Sequence, residues 1–150
     1  MTPLRLIRTN VAAPLVFVCA FLCAAPDLRA QAQEIKEPLP ASVDLPTVQL
    51  IEIRNDAGVT VLSGTFSPKD NEKNDVERKV KLSGVSGTGS AEIEFSRKDG
   101  QLKEQELEVE LERLLYGAAY KIFLEKKEVF AFSADDKGKA RLKLSSKITK

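Results

Sequence analysis

The chain has 150 residues, no histidine or tryptophan and only two cysteines, both before residue 24, so it is one domain's worth of sequence with a narrow chemical repertoire. Its 23 basic and 22 acidic side chains leave a formal charge of +1, which gives no reason to expect nucleic acid or an anionic membrane as a partner. Histidine acid–base catalysis, serine triads and the usual zinc and copper ligand sets are excluded by composition.

Residues 1–10 carry Arg5 and Arg8 with no acid, Val11 to Ala25 is almost wholly apolar, and Ala30-Gln31-Ala32 offers small residues where a signal peptidase reads. This order predicts a secretory signal peptide over 1–32. A transmembrane span needs about 20 apolar residues, whereas this run is broken by Pro14 and ends at Pro26 and Asp27. Cys19 follows Val18 and Cys23 follows Leu22, where lipid attachment wants a small residue. Cleavage after Ala32 removes both cysteines together with Arg5, Arg8, Arg29 and Asp27, leaving 20 basic against 21 acidic side chains, a net charge of −1. The exported chain then has no disulfide, thiolate nucleophile or cysteine metal site, and no stable membrane insertion is expected. Its expected location is secreted, periplasmic or in the cell envelope.

Residues 33–46 are polar and punctuated by Pro38, Pro40 and Pro46, which predicts a disordered tether before a domain over 47–150. Val48, Leu50, Ile51 and Ile53 begin the first predicted strand; the change of phase at Leu50/Ile51 implies two covered faces or a bulge. Asn55-Asp56-Ala57-Gly58 is a hairpin turn by composition, and Val59 to Phe66 the returning strand. The hydrophilic run 67–75 places Asp70, Glu72 and Asn74 at calcium-loop spacing. Asp75 stands where that loop needs glycine, and the closing acid is missing, so a solvated loop is the reading.

Val76 to Ser83 predicts a strand with Val80 and Leu82 inward and Lys79 and Lys81 outward. The glycines at 84, 87 and 89 lead into Ala91 to Phe95, a strand and not the helix a phosphate cradle requires. Lys98-Asp99-Gly100 turns the chain. From Gln105 to Ser145 the alternation is clearest. Leu107, Val109 and Leu111 are interleaved with Glu106, Glu108, Glu110 and Glu112, and three further strands follow, which predicts a β-meander. The Gly89 to Ser96 stretch echoes Gly138 to Ser145, as two strands in equivalent positions would. The expected fold class is all-β, a single antiparallel β-sandwich of about seven or eight short strands.

Leu114 to Ile122 resembles the corner before the penultimate strand of fibronectin type III and related immunoglobulin-like sandwiches. The resemblance implies Leu114 as the buried corner residue, Gly117 as the turn and Tyr120 as the corner tyrosine whose hydroxyl bonds back to the chain. The chain departs from that family in lacking a core tryptophan and in having two strand candidates after Tyr120.

The carboxylates that remain alternate with apolar residues or lie in turns, the pattern of a solvated sheet face, and none sits in an apolar run that would raise its pKa. No catalytic residue, metal ligand or cofactor site is assigned, and the chain is read as non-enzymatic. The favoured reading is an exported protein-interaction or structural module with a protein partner; the alternative is a small-ligand, glycan or calcium-binding module. Lys139, Arg141 and Lys143 alternate on the last strand and form a candidate polyanion stripe. Glu106, Glu108 and Glu110 form an acidic stripe of the same length, so the basic strand is expected beside an acidic one, with Glu108 and Arg141 as partners, and no nucleic acid is expected to bind.

Overall fold

The computed structural model describes residues 33–67 and 75–147, where every regular element except one 3-10 turn is a strand. In chain order these are β1 (Glu34–Pro38), β2 (Leu50–Asn55), β3 (Thr60–Thr65), β4 (Asp75–Gly84), β5 (Thr88–Lys98), β6 (Gln101–Glu112), β7 (Ala119–Leu124), β8 (Lys127–Ser133) and β9 (Ala140–Lys147). They form one curled sheet in the order β1-β9-β6-β5-β4-β3-β2-β7-β8, a half-barrel around one apolar core. The calcium-spaced residues Asp70, Glu72 and Asn74 lie outside the described residues.

The all-β expectation holds; the antiparallel sandwich does not. β4 pairs with β5 along Asp75–Leu82 and gives its last residues, Ser83 and Gly84, to β3, so the two halves share a strand and the sheet bends instead of splitting into layers. The sheet is also mixed, because β1 runs parallel to β9. The meander lies upstream of the predicted one, in β2 to β6, whose successive strands are neighbours. Gln105 to Ser145 does yield four strands, but β6 crosses over to β7 on the far side of β2, and β8 crosses back to β9 beside β6.

Alternation places the core as read. Leu107, Val109 and Leu111 of β6 are buried against Ile93 of β5 and Leu142 and Leu144 of β9, each contributing about 1.5–3 kcal/mol of apolar burial. The echo also has a structural counterpart: β5 and β9 flank β6 from opposite sides, displaced by two residues, since Ala91 and Leu142 both face Val109. At β2 the bulge falls at Ile53/Arg54 and not at Leu50/Ile51.

The stretch expected as a disordered tether is part of the fold. Leu39, Val43, Leu45 and Val48 are buried, and a 3-10 turn spans Leu45–Thr47. The prolines do not oppose this, because each sits where a missing N–H costs nothing: Pro38 ends edge strand β1, Pro40 offers its carbonyl to Val43, and Pro46 lies in the 3-10 turn. Two buried polar side chains pin this strap. Gln105 accepts the Leu45 N–H (2.9 Å) and donates to the Val43 carbonyl (2.8 Å), while the Arg78 guanidinium donates to the Leu45 carbonyl at 2.7 Å. Burial lowers the Arg78 pKa, and the group remains charged. At the strap's other end Glu125 accepts the N–H groups of Gln49 (2.6 Å) and Leu50 (2.8 Å). These bonds brace a two-residue β7–β8 turn in which Glu125 and Lys126 both take positive φ without being glycine.

Candidate functional site

The outer face of β6 and β9 brings the two charge stripes together. Glu108 faces Lys143 and Glu110 faces Arg141, so the anticipated strand pairing is present one rung away from the Glu108–Arg141 match. Lys143 donates to Glu106 and to Glu108 (2.8 Å), Arg141 meets Glu110 at 3.2 Å and Glu34 at 3.7 Å, and Lys139 meets Glu112 at 3.0 Å. The bonds to Glu106 and then Glu108 raise the Lys143 pKa above its ordinary value. Every cation of the candidate stripe is thus matched by a glutamate, and a polyanion would have to displace those partners. Further along the same face Glu77, Glu92 and Glu94 converge. Lys79 enters that cluster at 2.8 Å from Glu77 and 3.1 Å from Glu92, and burial is the main cause of a raised Glu92 pKa.

The three corner residues meet at the other kind of surface. Leu114 is buried, Gly117 turns the chain at φ +66°, and the Tyr120 hydroxyl accepts the Leu115 N–H at 3.0 Å. Tyr120 is buried and stacks on Phe132 with centroids 5.8 Å apart. The two crossovers are bound side by side: Leu114 donates to the Gly138 carbonyl (2.9 Å) and Gly117 to that of Ala134 (3.1 Å). Glycine is required around Leu114. A Cβ on Gly138, at φ +69°, would stand 2.2 Å from the Leu114 carbonyl oxygen, and one on Gly87, at φ +90°, would stand 2.9 Å from that of Glu112.

This fixed base carries an apolar apex. Three connections converge there: the β2–β3 turn, the β4–β5 loop and the β6–β7 crossover. The exposed large hydrophobic residues among the described ones all lie on them, Val59 at 54%, Val85 at 84%, Leu115 at 64% and Tyr116 at 71%. Between them is a groove of about 590 Å³ lined by Val59, Val61, Val85, Leu115, Ala118 and Tyr120. Its rim is polar, with Asn55 and Asp56 on one side and Ser86 on the other. Apolar residues gathered on display within a polar rim are the surface pattern of a contact site, whereas isolated ones are ordinary.

Comparison of the chain with protein-family models, curated proteins and solved structures finds no match in any of the three. Among the described residues no helix is long and apolar enough to cross a membrane. The sequence reading placed the corner residues and the charge stripes but missed the apex and the Arg78–Gln105 clamp. The clamp had a signal: Arg78 shares the inward phase of Val76 and Leu82, and Gln105 that of Leu107 and Val109. The apex had a fainter one, in apolar residues set within turn composition at Val59, Val85 and Leu115-Tyr116.

Proposed function

We propose that this protein is an exported, non-catalytic protein-binding module whose contact surface is the loop apex. The observation that carries the reading is the gathering of Val59, Val85, Leu115 and Tyr116 at one end of the sheet. Leaving a large apolar side chain in water forgoes about 1.5–3 kcal/mol of burial, and a partner that covers several recovers it. Tyrosine and leucine on a hydrogen-bonded base lose little further freedom on binding, which favours affinity. The basic, apolar, small-residue order of residues 1–32 supports export with cleavage near Ala32, and the composition beyond it leaves no nucleophile or imidazole for catalysis. A protein partner is favoured over a glycan because the one exposed aromatic, Tyr116, stands among aliphatic side chains.

The test compares the full exported chain with a Val85→Ser, Leu115→Ser, Tyr116→Ser variant, using cross-linking to proteins of the producing cell's envelope and surroundings. The expected result is a discrete cross-linked protein that the triple variant loses while its melting temperature is unchanged. Cross-linking that survives the triple variant, or is lost only when Arg141 or Lys143 is reversed, refutes the apex reading.

A further inference from the structure

The two edges of the sheet are built differently. β1 is five residues long, carries Glu34, Lys36 and Glu37, and ends in Pro38, which has no N–H to offer. Such an edge refuses a further strand. β8 closes the other side with seven residues, and its charges are confined to its start: Lys127, which donates to Ser42, and Glu128, which pairs with Lys121 at 2.9 Å. Val129 to Ala134 is uncharged and without proline or glycine. Ala134 donates to the Ala118 carbonyl, so by antiparallel alternation Phe132 and Phe130 bond to β7, while Ala131 and Ser133 turn their N–H and C=O groups to the open edge.

We propose that the β8 edge is the self-association surface of this protein, taking β8 of a second copy in antiparallel pairing about a two-fold axis through Ala131. The occupant follows from β8 itself. Ala131 against Ala131 sets Val129 opposite Ser133, Phe130 opposite Phe132, and Lys127 of each copy opposite Asp135 of the other. That register bonds the groups pointing outward, keeps the core-facing residues of both copies on one side, and matches opposite charges twice. Asp135 is half-buried and already ordered, its Oδ1 accepting the N–H groups of Lys137 (2.9 Å) and Lys139 (2.7 Å). The neighbouring registers are worse: one puts Lys127 against Ser133 and Glu128 against Phe132, the other turns Lys127 toward Lys137. The paired strands join two half-barrels into a continuous sheet and remove its one open edge. This surface is separate from the apex, so either proposal can fail alone.

The test is sedimentation of the full exported chain across a concentration series. The wild type is expected to form dimers. Ala131→Pro, which deletes an outward N–H without touching the β7 pairing, and Ala131→Lys, which sets two cations face to face at the axis, are both expected to sediment as monomers with unchanged circular dichroism. Lys127→Glu weakens the dimer in the same assay. A monomeric wild type, or a dimer that persists in Ala131→Lys, overturns the proposal, and Ala131→Lys decides the matter if Ala131→Pro does not fold.

Discussion

β6 and the crossover that follows it adjoin in sequence and expose opposite kinds of surface. Along the outer face of β6, Glu106, Glu108, Glu110 and Glu112 each meet a lysine or arginine of β9. Just beyond the end of β6, Leu115 and Tyr116 stand in solvent over a backbone held from below by Tyr120, Ala134 and Gly138. Charge here serves pairing within the molecule, and contact with other molecules falls to apolar side chains on loops. A face crowded with ions can therefore be the less interactive of the two, because its ions are already matched.

The largest effect that would break this comparison is at the inner face of β6. Val109→Asp brings a charge into a fully buried position at a cost of several kcal/mol, comparable with the stability of a domain this size, and the variant is expected to be unfolded by circular dichroism. Glu108→Lys, one residue away on the outer face, is expected to stay folded, and equal melting temperatures for the two would contradict the face assignment. Next comes the base of the crossover. Tyr120→Phe leaves the Leu115 N–H without its acceptor and is expected to destabilise by about 1–2 kcal/mol in urea melts with the fold retained. A neutral result would mean that the hydroxyl does not fix the crossover.

Smaller again is the charge ladder. Glu108→Lys alone is expected to cost about 0.2–1 kcal/mol, toward the low end because both partners are partly solvated, and adding Lys143→Glu should restore most of it. Restoration by Arg141→Glu instead would place the register one rung away. The smallest effect is a pH dependence at Glu125. Its carboxyl is held below the usual range by the N–H groups of Gln49 and then Leu50, so this stabilisation is present above the unfolded value of about 4.3 and is lost as pH falls through the lower folded value. The carboxylate is exposed, so about a few tenths of a kcal/mol is expected. Urea melts on either side of that window should differ more for the wild type than for Glu125→Gln, and identical differences would remove the clamp.

What could be read in advance was whatever a local period encodes. The alternation of Leu107, Val109 and Leu111 fixes a dry face, and the matched lengths of the Glu106–Glu110 and Lys139–Lys143 stripes pointed to β6 and β9 as neighbours. Strand order elsewhere was not legible, since period two says which way a side chain points and nothing about which strand lies alongside; hence a meander was expected where two crossovers occur. The prolines at 38, 40 and 46 concealed the strap, because composition cannot tell a proline that breaks structure from one placed where no donor is needed. The apex was hidden for a related reason. Val85 sits among serines and glycines, and only the folded sheet brings it beside Leu115.

The parallel pairing of β1 with β9 bears on how the domain carries mechanical load. Glu34 lies beside Arg141 and Pro38 beside Ser145, so the beginning of β1 and the end of β9 are at opposite ends of the same five rungs. Tension between residues 33 and 147 therefore runs along both strands and shears all five rungs together, where an antiparallel terminal pair would unzip one rung at a time. Stretching single molecules from handles at those two positions should give one abrupt rupture at high force, with gradual extension the result that would contradict it. A domain fastened this way resists being drawn out from its ends even where its stability at equilibrium is modest.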